Sequence, residues 1–268
     1  MELYYSDECG DAGVQLLPLY QLFTADQEAI TPSWADIVFN FTHLSNEEVE
    51  KMKLPEKFTK AWTFNTLVIE QKYYLSWMMK RLEILGVKFV QRKVKSLEEF
   101  IDKGYDAVIN CAGLGSYELI EDDESKMYPI RGQVLRVKAP WIKNVWFFGS
   151  TYLIPQIDSV VVGGTAQKGD WNTTPSLKDT ERIMNDACSL FPSLRNVPVE
   201  SVWAGLRPGR TPLRLESEMY KSSLPVIHNY GHGGSGVTVA MGCAHEVVCK
   251  HLIPILQIAG KIGLKSKL

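Results

Sequence analysis

The sequence predicts an α/β protein, α+β overall, in which an incomplete doubly wound layer is interleaved with an antiparallel-sheet domain. Three observations carry that expectation. Between about residues 72 and 111, helical and strand periodicities alternate, the pattern of a parallel layer. Between 132 and 162, strands succeed one another with no helix between them, the pattern of an antiparallel sheet. After Val226, a β-branched stretch runs into glycines at 231, 233, 234 and 236 and then into a segment of helical period. A chain of 268 residues can bury a sizeable core as one large domain or two small ones.

The elements follow in order. The first sixty residues are irregular in pattern, with Trp34, Phe39 and Phe41 expected as core anchors after Pro32. From Lys72 the pattern sharpens: Tyr74, Met78, Leu82 and Leu85 recur at helical spacing, and Gly86 stands where a helix would end. Val87 to Val94 then alternates as a strand. Ser96-Leu-Glu-Glu99 is a capping box that opens a short helix stopping at Gly104. Ala107-Val-Ile-Asn-Cys111 reads as a compact buried strand running into Ala112-Gly-Leu-Gly-Ser116, and a ligand is expected at such strand ends. Gly132–Val137, Thr151–Ile154 and Ser159–Val162 are the antiparallel strands. A helix is expected over about 177–190, and Glu200–Trp203 as a further strand.

Composition narrows the function classes. A net charge of −2 with 22% charged residues gives no basic surface for nucleic acid. No run approaches the ~20 apolar residues of a membrane span, and Glu2, Asp7, Glu8 and Asp11 rule out a secretory signal at the start of this sequence. Five cysteines (9, 111, 188, 243 and 249) form no CxxC pair and are expected as reduced thiols in the core. No histidine has metal-ligand spacing, so no metal is expected. The last residues, Ser266, Lys267 and Leu268, form a receptor-read peroxisomal address, which predicts a peroxisomal location and an import receptor as partner.

The run Val-Ile-His-Asn-Tyr-Gly-His-Gly-Gly-Ser-Gly-Val-Thr-Val-Ala-Met-Gly-Cys-Ala over 226–244 is the most specific feature. Its glycines allow backbone amides to approach a ligand, and the helix behind them carries a partial positive charge. Gly231, Gly233 and Gly236 satisfy G-x-G-x-x-G, but no second strand with a terminal acidic residue follows, so it is not the dinucleotide fingerprint. His228 and His232 are read as structural, His228 fixing the glycine loop, and Asp170 with Trp171 as a turn and its packing aromatic. Arg207, Arg210, Arg214 and Glu216 allow either an ion-pair cluster or a grip on a carboxylate.

The long run resembles the C-terminal motif of the FAD-dependent D-amino-acid oxidase and D-aspartate oxidase family. The resemblance extends to Lys88–Val94, to Asn110-Cys-Ala-Gly-Leu-Gly-Ser116, to Arg131–Val134, to Gly163–Asn172 and to Gly205-Leu-Arg-Pro208 with Arg214. It implies FAD as cofactor, with Val94, Ala112, Gly233, Gly234, Ser235, Gly236, Val237 and Thr238 contacting it. Tyr152, Arg207 and Gly234 are implied as substrate-binding, Arg207 pairing with the substrate α-carboxylate. No catalytic acid or base is implied, because the α-hydrogen leaves as hydride to the flavin. The implied reaction turns a D-amino acid and O2 into a 2-oxo acid, ammonia and hydrogen peroxide.

Gly113–Ser116 and Gln167–Asn172 point toward D-aspartate. Ala166, and an arginine-free loop from Lys143 to Ser150, point toward neutral substrates, with Lys143 as the one cation to compensate. A glycine or N-methyl amino acid oxidase is the alternative within enzymes. Relative to the family, Met1 lies beyond the N-terminal strand and phosphate cradle. Residues 1–268 alone are therefore expected to hold FAD poorly, which makes a non-catalytic product a further alternative. The expected division is 1–86 substrate domain with a helix leading into the FAD layer, 87–135 FAD layer, 136–225 antiparallel substrate domain, and 226–268 glycine loop, helix and tail.

Overall fold

The computed structural model describes residues 1–121 and 126–261. Its strands are β1 (Val14–Thr24), β2 (Phe39–His43), β3 (Phe58–Ile69), β4 (Val108–Asn110), β5 (Met127–Val137) and β6 (Val145–Phe148). They continue as β7 (Thr151–Pro155), β8 (Val160–Gly163), β9 (Gln167–Lys168), β10 (Val199–Tyr220) and β11 (Leu224–His232). The α-helices are α1 (Glu2–Tyr5), α2 (Asn46–Lys51), α3 (Gln71–Ile84), α4 (Ser116–Leu119), α5 (Leu177–Leu190), α6 (Gly236–Glu246) and α7 (Ile253–Ile258). Residues group into two compact units. The first comprises Met1–Phe89, Gly132–Ala166 and Thr173–Ala204, the second Val90–Arg131, Gln167–Asn172 and Gly205–Leu268.

The first unit is built on a mainly antiparallel sheet in the order β2-β3-β1-β6-β7-β8, followed by the second half of β5. β1 pairs antiparallel with β3 from Val14↔Ile69 onward and parallel with β6 at Leu19↔Val145. Side chains alternate across the pleat, so each strand feeds two layers. On one face Leu22, Leu135, Val137, Leu153 and Val162 pack against Ile183, Ala187 and Leu190 of α5. Those three recur at i, i+4 and i+7, and the Ser176 hydroxyl accepts the Asp179 N–H to start the helix. The opposite face holds Leu19, Trp62, Phe64, Val68 and Val145. Phe39, on the edge strand β2, is exposed at 45% rather than core, whereas Trp34, partly exposed at 38%, sets its ring edge-on against Trp62 and Phe64 of this layer, and Phe41 packs onto it as well. The first sixty residues are also more regular than their pattern suggested, since β1, β2 and the start of β3 fall there.

The second unit contains the parallel pair β4–β11, the antiparallel pair β11–β10, and β9 paired to the first half of β5. Leu97, Ile120, Leu224 and Val226 form its core. The expected strand over 87–94 is absent. Residues 87–96 take no regular form, Phe89 and Val90 stay exposed, and Arg92 and Lys93 are held by ion pairs to Glu99 and Glu118 instead of by a ladder. α3 ends as expected, with Gly86 at φ +79, yet it buries no residue. The capping box at Ser96 opens a 3₁₀ turn, Leu97–Phe100.

From Gly233 to Ile258 the chain is helical throughout, with a π-turn at Val247–Leu252, and this stretch is long and apolar enough by length and composition to cross a membrane. That revises the expectation that no run approaches such a span. The Glu246–Lys250 ion pair and two histidines in its middle are costly groups in a bilayer core. The cysteines are free thiols, and of them Cys188, half-buried, packs against the core of the first unit, while Cys9 and Cys243 are half-buried and Cys111 and Cys249 exposed.

Candidate cofactor and substrate site

β4 and β11 lie side by side and parallel, with Val108 opposite Val226, Ile109 opposite Ile227 and Asn110 opposite His228. Both strands end in a glycine turn that opens a helix. β4 leads through Gly113–Gly115 into α4, and β11 through Gly233–Ser235 into α6. Gly113 and Gly233 adopt φ of +56 and +57, a conformation that a side chain would strain. Carboxyl ends of adjacent parallel strands are where such sheets collect ligands. At α6, Ser235 makes no side-chain cap, and Gly234, Ser235, Val237 and Thr238 are exposed. Because the helical run begins at Gly233, its open first turn, and with it the positive end of the dipole, is at Gly233 to Ser235, which His232 does not cap with its side chain.

A buried polar chain shapes the first turn. Asn110 is 4% exposed, and its Oδ1 accepts the Ala112 N–H (3.0 Å) and the Ser116 hydroxyl (3.4 Å). Its Nδ2 donates to Ser116 Oγ (3.2 Å) and to His228 Nδ1 (3.3 Å). His228 is fully buried, and its Nε2 meets Glu218 Oε1 at 2.9 Å. Burial pushes the imidazole below its ordinary pKa, against the upward pull of Glu218. His228 is structural, as expected, but it fixes the Asn110 turn rather than the glycine loop. The glycine loop has its own constraint. Gly231 sits at φ +91, and a Cβ there would stand 2.6 Å from Arg210 Cβ.

β10 runs past both turns. A Cβ on Gly234 would lie 3.7 Å from Arg207 Cδ, and one on Gly113 would lie 3.7 Å from Pro208. The structure thus brings together Arg207 and Gly234, two of the three expected substrate residues. Arg214 is a different kind of arginine: it bonds Glu216 at 2.7 Å, Glu218 at 3.2 Å and the Tyr230 hydroxyl at 3.1 Å. The ion-pair reading of the arginine cluster therefore holds for Arg214.

Tyr152, on β7 in the first unit, pairs across from Phe147. Its neighbours Thr151 and Leu153 point into the α5 layer, so Tyr152 points to the other face. Its ring lies so close to Gly163 that a Cβ there would be 2.3 Å from Cζ. Half of the expected loop from Lys143 to Ser150 is β6, and only Gly149 and Ser150 form the turn into β7. Lys143 precedes β6 at the far end of that hairpin, so it is no compensating cation beside Tyr152. Ala166 is exposed just after β8.

Val94 is half-buried in the irregular stretch. Nearby, backbone N–H donation from Lys95 and the Arg92 guanidinium hold the Glu99 carboxyl down to about 2. Asp170 accepts the Asn172 N–H at 2.8 Å, the expected turn, and Trp171 meets Tyr117 edge-on. Arg131, which the sequence matched to the family without assigning it a role, is 2% exposed, donates to Asn172 O (2.7 Å) and Gln167 Oε1 (2.6 Å) and ties down that turn. Among the described residues, no group of three His, Cys, Asp or Glu could hold a metal ion. Ser266, Lys267 and Leu268 lie outside the described residues.

Residues 5–249 match the family described as DAO, FAD dependent oxidoreductase. The chain is 39% identical to D-aspartate oxidase from Homo sapiens over 246 residues, which is 90% of this chain and 70% of that protein. The chain belongs to the DAO family of FAD-dependent oxidoreductases. A D-amino-acid oxidase from Rubrobacter xylanophilus is 40% identical over 220 residues, 80% of this chain and 65% of that protein. Among solved structures, glycine oxidase from Geobacillus kaustophilus superposes with a TM-score of 0.74 at 17% identity, covering 98% of this chain and 76% of that one. At that identity the likeness shows the DAO-family fold alone. The chain spans 65–70% of the length of the two curated relatives.

FAD is the cofactor of the DAO family, and the residues present fit an electron-rich ring edge. The uncapped amides of the first helical turn at Gly233 to Ser235 supply donors, and the glycines at 233, 234 and 236 leave room for close approach.

Proposed function

We propose that the protein is a flavin oxidase of D-amino acids. D-aspartate is slightly preferred and neutral D-amino acids are also taken, each yielding a 2-oxo acid, ammonia and hydrogen peroxide. The observation that carries this reading is Arg207 set against Gly234 at the carboxyl ends of β4 and β11. Bound FAD supplies a two-electron acceptor for the substrate α-hydrogen and a route for those electrons to O2.

The remaining work falls to this chain's own side chains and backbone. Val94, Ala112 and Gly233 to Thr238 hold the cofactor through backbone groups. Arg207 presents a planar fork that grips the α-carboxylate in two bonds and so fixes which face of the α-carbon is offered. Tyr152, by its place in the family pattern, offers a hydroxyl to substrate. With the α-hydrogen leaving as hydride, no side chain has to act as a base, and positioning is the main task. Peroxide as product accords with the peroxisomal address proposed for Ser266, Lys267 and Leu268.

Substrate breadth is the testable part. Ala166 offers no charge to an acidic side chain, and Lys143 sits at the wrong end of its hairpin. A buried carboxylate without a partner is costly. In assays of the full-length protein, D-aspartate should lead D-alanine by only a modest factor. Ala166→Arg should widen that preference by about tenfold or more, the effect of one added ion pair. An unchanged ratio in Ala166→Arg would remove Ala166 from the account of specificity.

A further inference from the structure

His228 is a buried titratable group for which the proposed chemistry has no use, and it stands in the middle of a continuous line of hydrogen bonds from Glu218 through Asn110 to the turn after β4. We propose that Glu218, His228 and Asn110 form a latch that sets the Ala112–Ser116 turn, and that the latch opens when His228 takes a second proton. The role of that turn in holding flavin rests on the proposed function above.

The direction of each bond is fixed from both ends. The Ala112 N–H can only donate, so the Asn110 atom facing it must be Oδ1. The amide nitrogen then faces His228 at 3.3 Å, and Nδ1 must offer a lone pair. The single ring proton is left on Nε2, where it points at Glu218, a carboxylate that only accepts. One tautomer of neutral histidine therefore satisfies every partner. An imidazolium does not: its Nδ1–H would face the Asn110 amide protons, donor against donor, with no exposed surface at which water could intervene. Rotating the amide by half a turn relieves that clash only by pointing Nδ2 at the Ala112 N–H. The conflict is moved into the turn rather than removed.

The charged and titratable groups around the ring come from two strands. β10 supplies Glu218, Glu216 and Arg214, and β11 supplies Tyr230, whose ring meets the imidazole edge-on at 5.7 Å. β4 contributes the uncharged Asn110, and the Val247–Leu252 segment brings His251, which is bonded to Ser217. Burial outweighs the two glutamates and keeps the ring neutral. The latch is closed near neutral pH and opens in acid.

Three readouts on the full-length protein test this. Nitrogen-15 NMR should show His228 protonated at Nε2 and bare at Nδ1. Protection of the Ala112 amide from hydrogen exchange, relative to its intrinsic rate at each pH, should be high at neutral pH and fall as His228 titrates. FAD affinity should weaken over the same range by about tenfold, the worth of one buried hydrogen bond. Glu218→Ala should show the fast exchange and weak FAD binding already at neutral pH, with a lowered thermal midpoint because the buried His228 Nε2–H and Arg214 lose an acceptor. Glu218→Gln keeps an acceptor oxygen and should restore both. A proton on Nδ1, or Ala112 exchange in Glu218→Ala equal to that of the parent protein, would overturn the latch. If the latch behaves as stated and no FAD binds at any pH, the proposed function fails and the latch stands.

Discussion

Arg207 and Arg214 share a strand and differ in their surroundings. Arg214 spends its guanidinium on Glu216, Glu218 and Tyr230, while Arg207 runs beside Gly234 at the glycine turn. The motif around Gly205–Pro208 made Arg207 legible in the sequence. The Asn110–His228 bond was not legible, since its partners are 118 residues apart and meet only through the parallel pairing of β4 with β11. His228 also carries a pH signature. Its pKa in the folded protein lies below the ordinary 6.5, so the unfolded chain binds more protons in the window beneath that value. Stability is therefore fully present above about pH 6.5 and is lost as pH falls through the folded value, with a slope of at most about 1.4 kcal/mol per pH unit. The carboxyls whose pKa is lowered act only below 4.5, which leaves the window from about 5 to 6.5 to histidine. Denaturant unfolding measured across that window should show the slope, and His228→Gln should flatten it. A slope unchanged in His228→Gln would assign it to another group.

At the scale of elements, legibility followed self-sufficiency. α5 was readable because Ile183, Ala187 and Leu190 mark one face and Ser176 caps its start, all within a single stretch. β7 and β8 were readable from short β-branched runs. β1 was not, because leucines at 16, 17, 19 and 22 hide the alternation that its two neighbours impose. The stretch 87–94 has the alternation but no paired partner among the described residues, and a strand without a ladder does not form. Two substitutions test these packings. Ile183→Ala removes a fully buried side chain facing the sheet and should cost about 2–5 kcal/mol in chemical denaturation; a loss below about 1 kcal/mol would mean the layer re-closes around the gap. Gly163→Ala places a methyl 2.3 Å from the Tyr152 ring, which must move. Substrate KM should rise with the flavin spectrum unchanged, and an unaltered KM would take Tyr152 out of the substrate site.

For the whole molecule, two compact units divide the residues that the family pattern assigns to one task. Tyr152 belongs to the first, and Arg207, Gly234 and the amides of α6 belong to the second. The boundaries expected at 86/87 and 135/136 fall close to the observed ones after Phe89 and Arg131, whereas 205–225, expected in the substrate domain, groups with the second unit because β10 continues from one unit into the other. The central claim is that Arg207 reads the α-carboxylate of a D-amino acid in a flavin oxidase. It is tested most directly by peroxide release from the full-length protein and its Arg207→Ala variant, assayed side by side with D- and L-aspartate in the presence of FAD. The account predicts peroxide from the D-enantiomer alone. It also predicts a fall in kcat/KM of about 10²–10³-fold in Arg207→Ala, as expected for losing one partner of a buried charged pair, with the flavin absorbance retained. Equal turnover by the two proteins, or peroxide released without preference between the enantiomers, would contradict it.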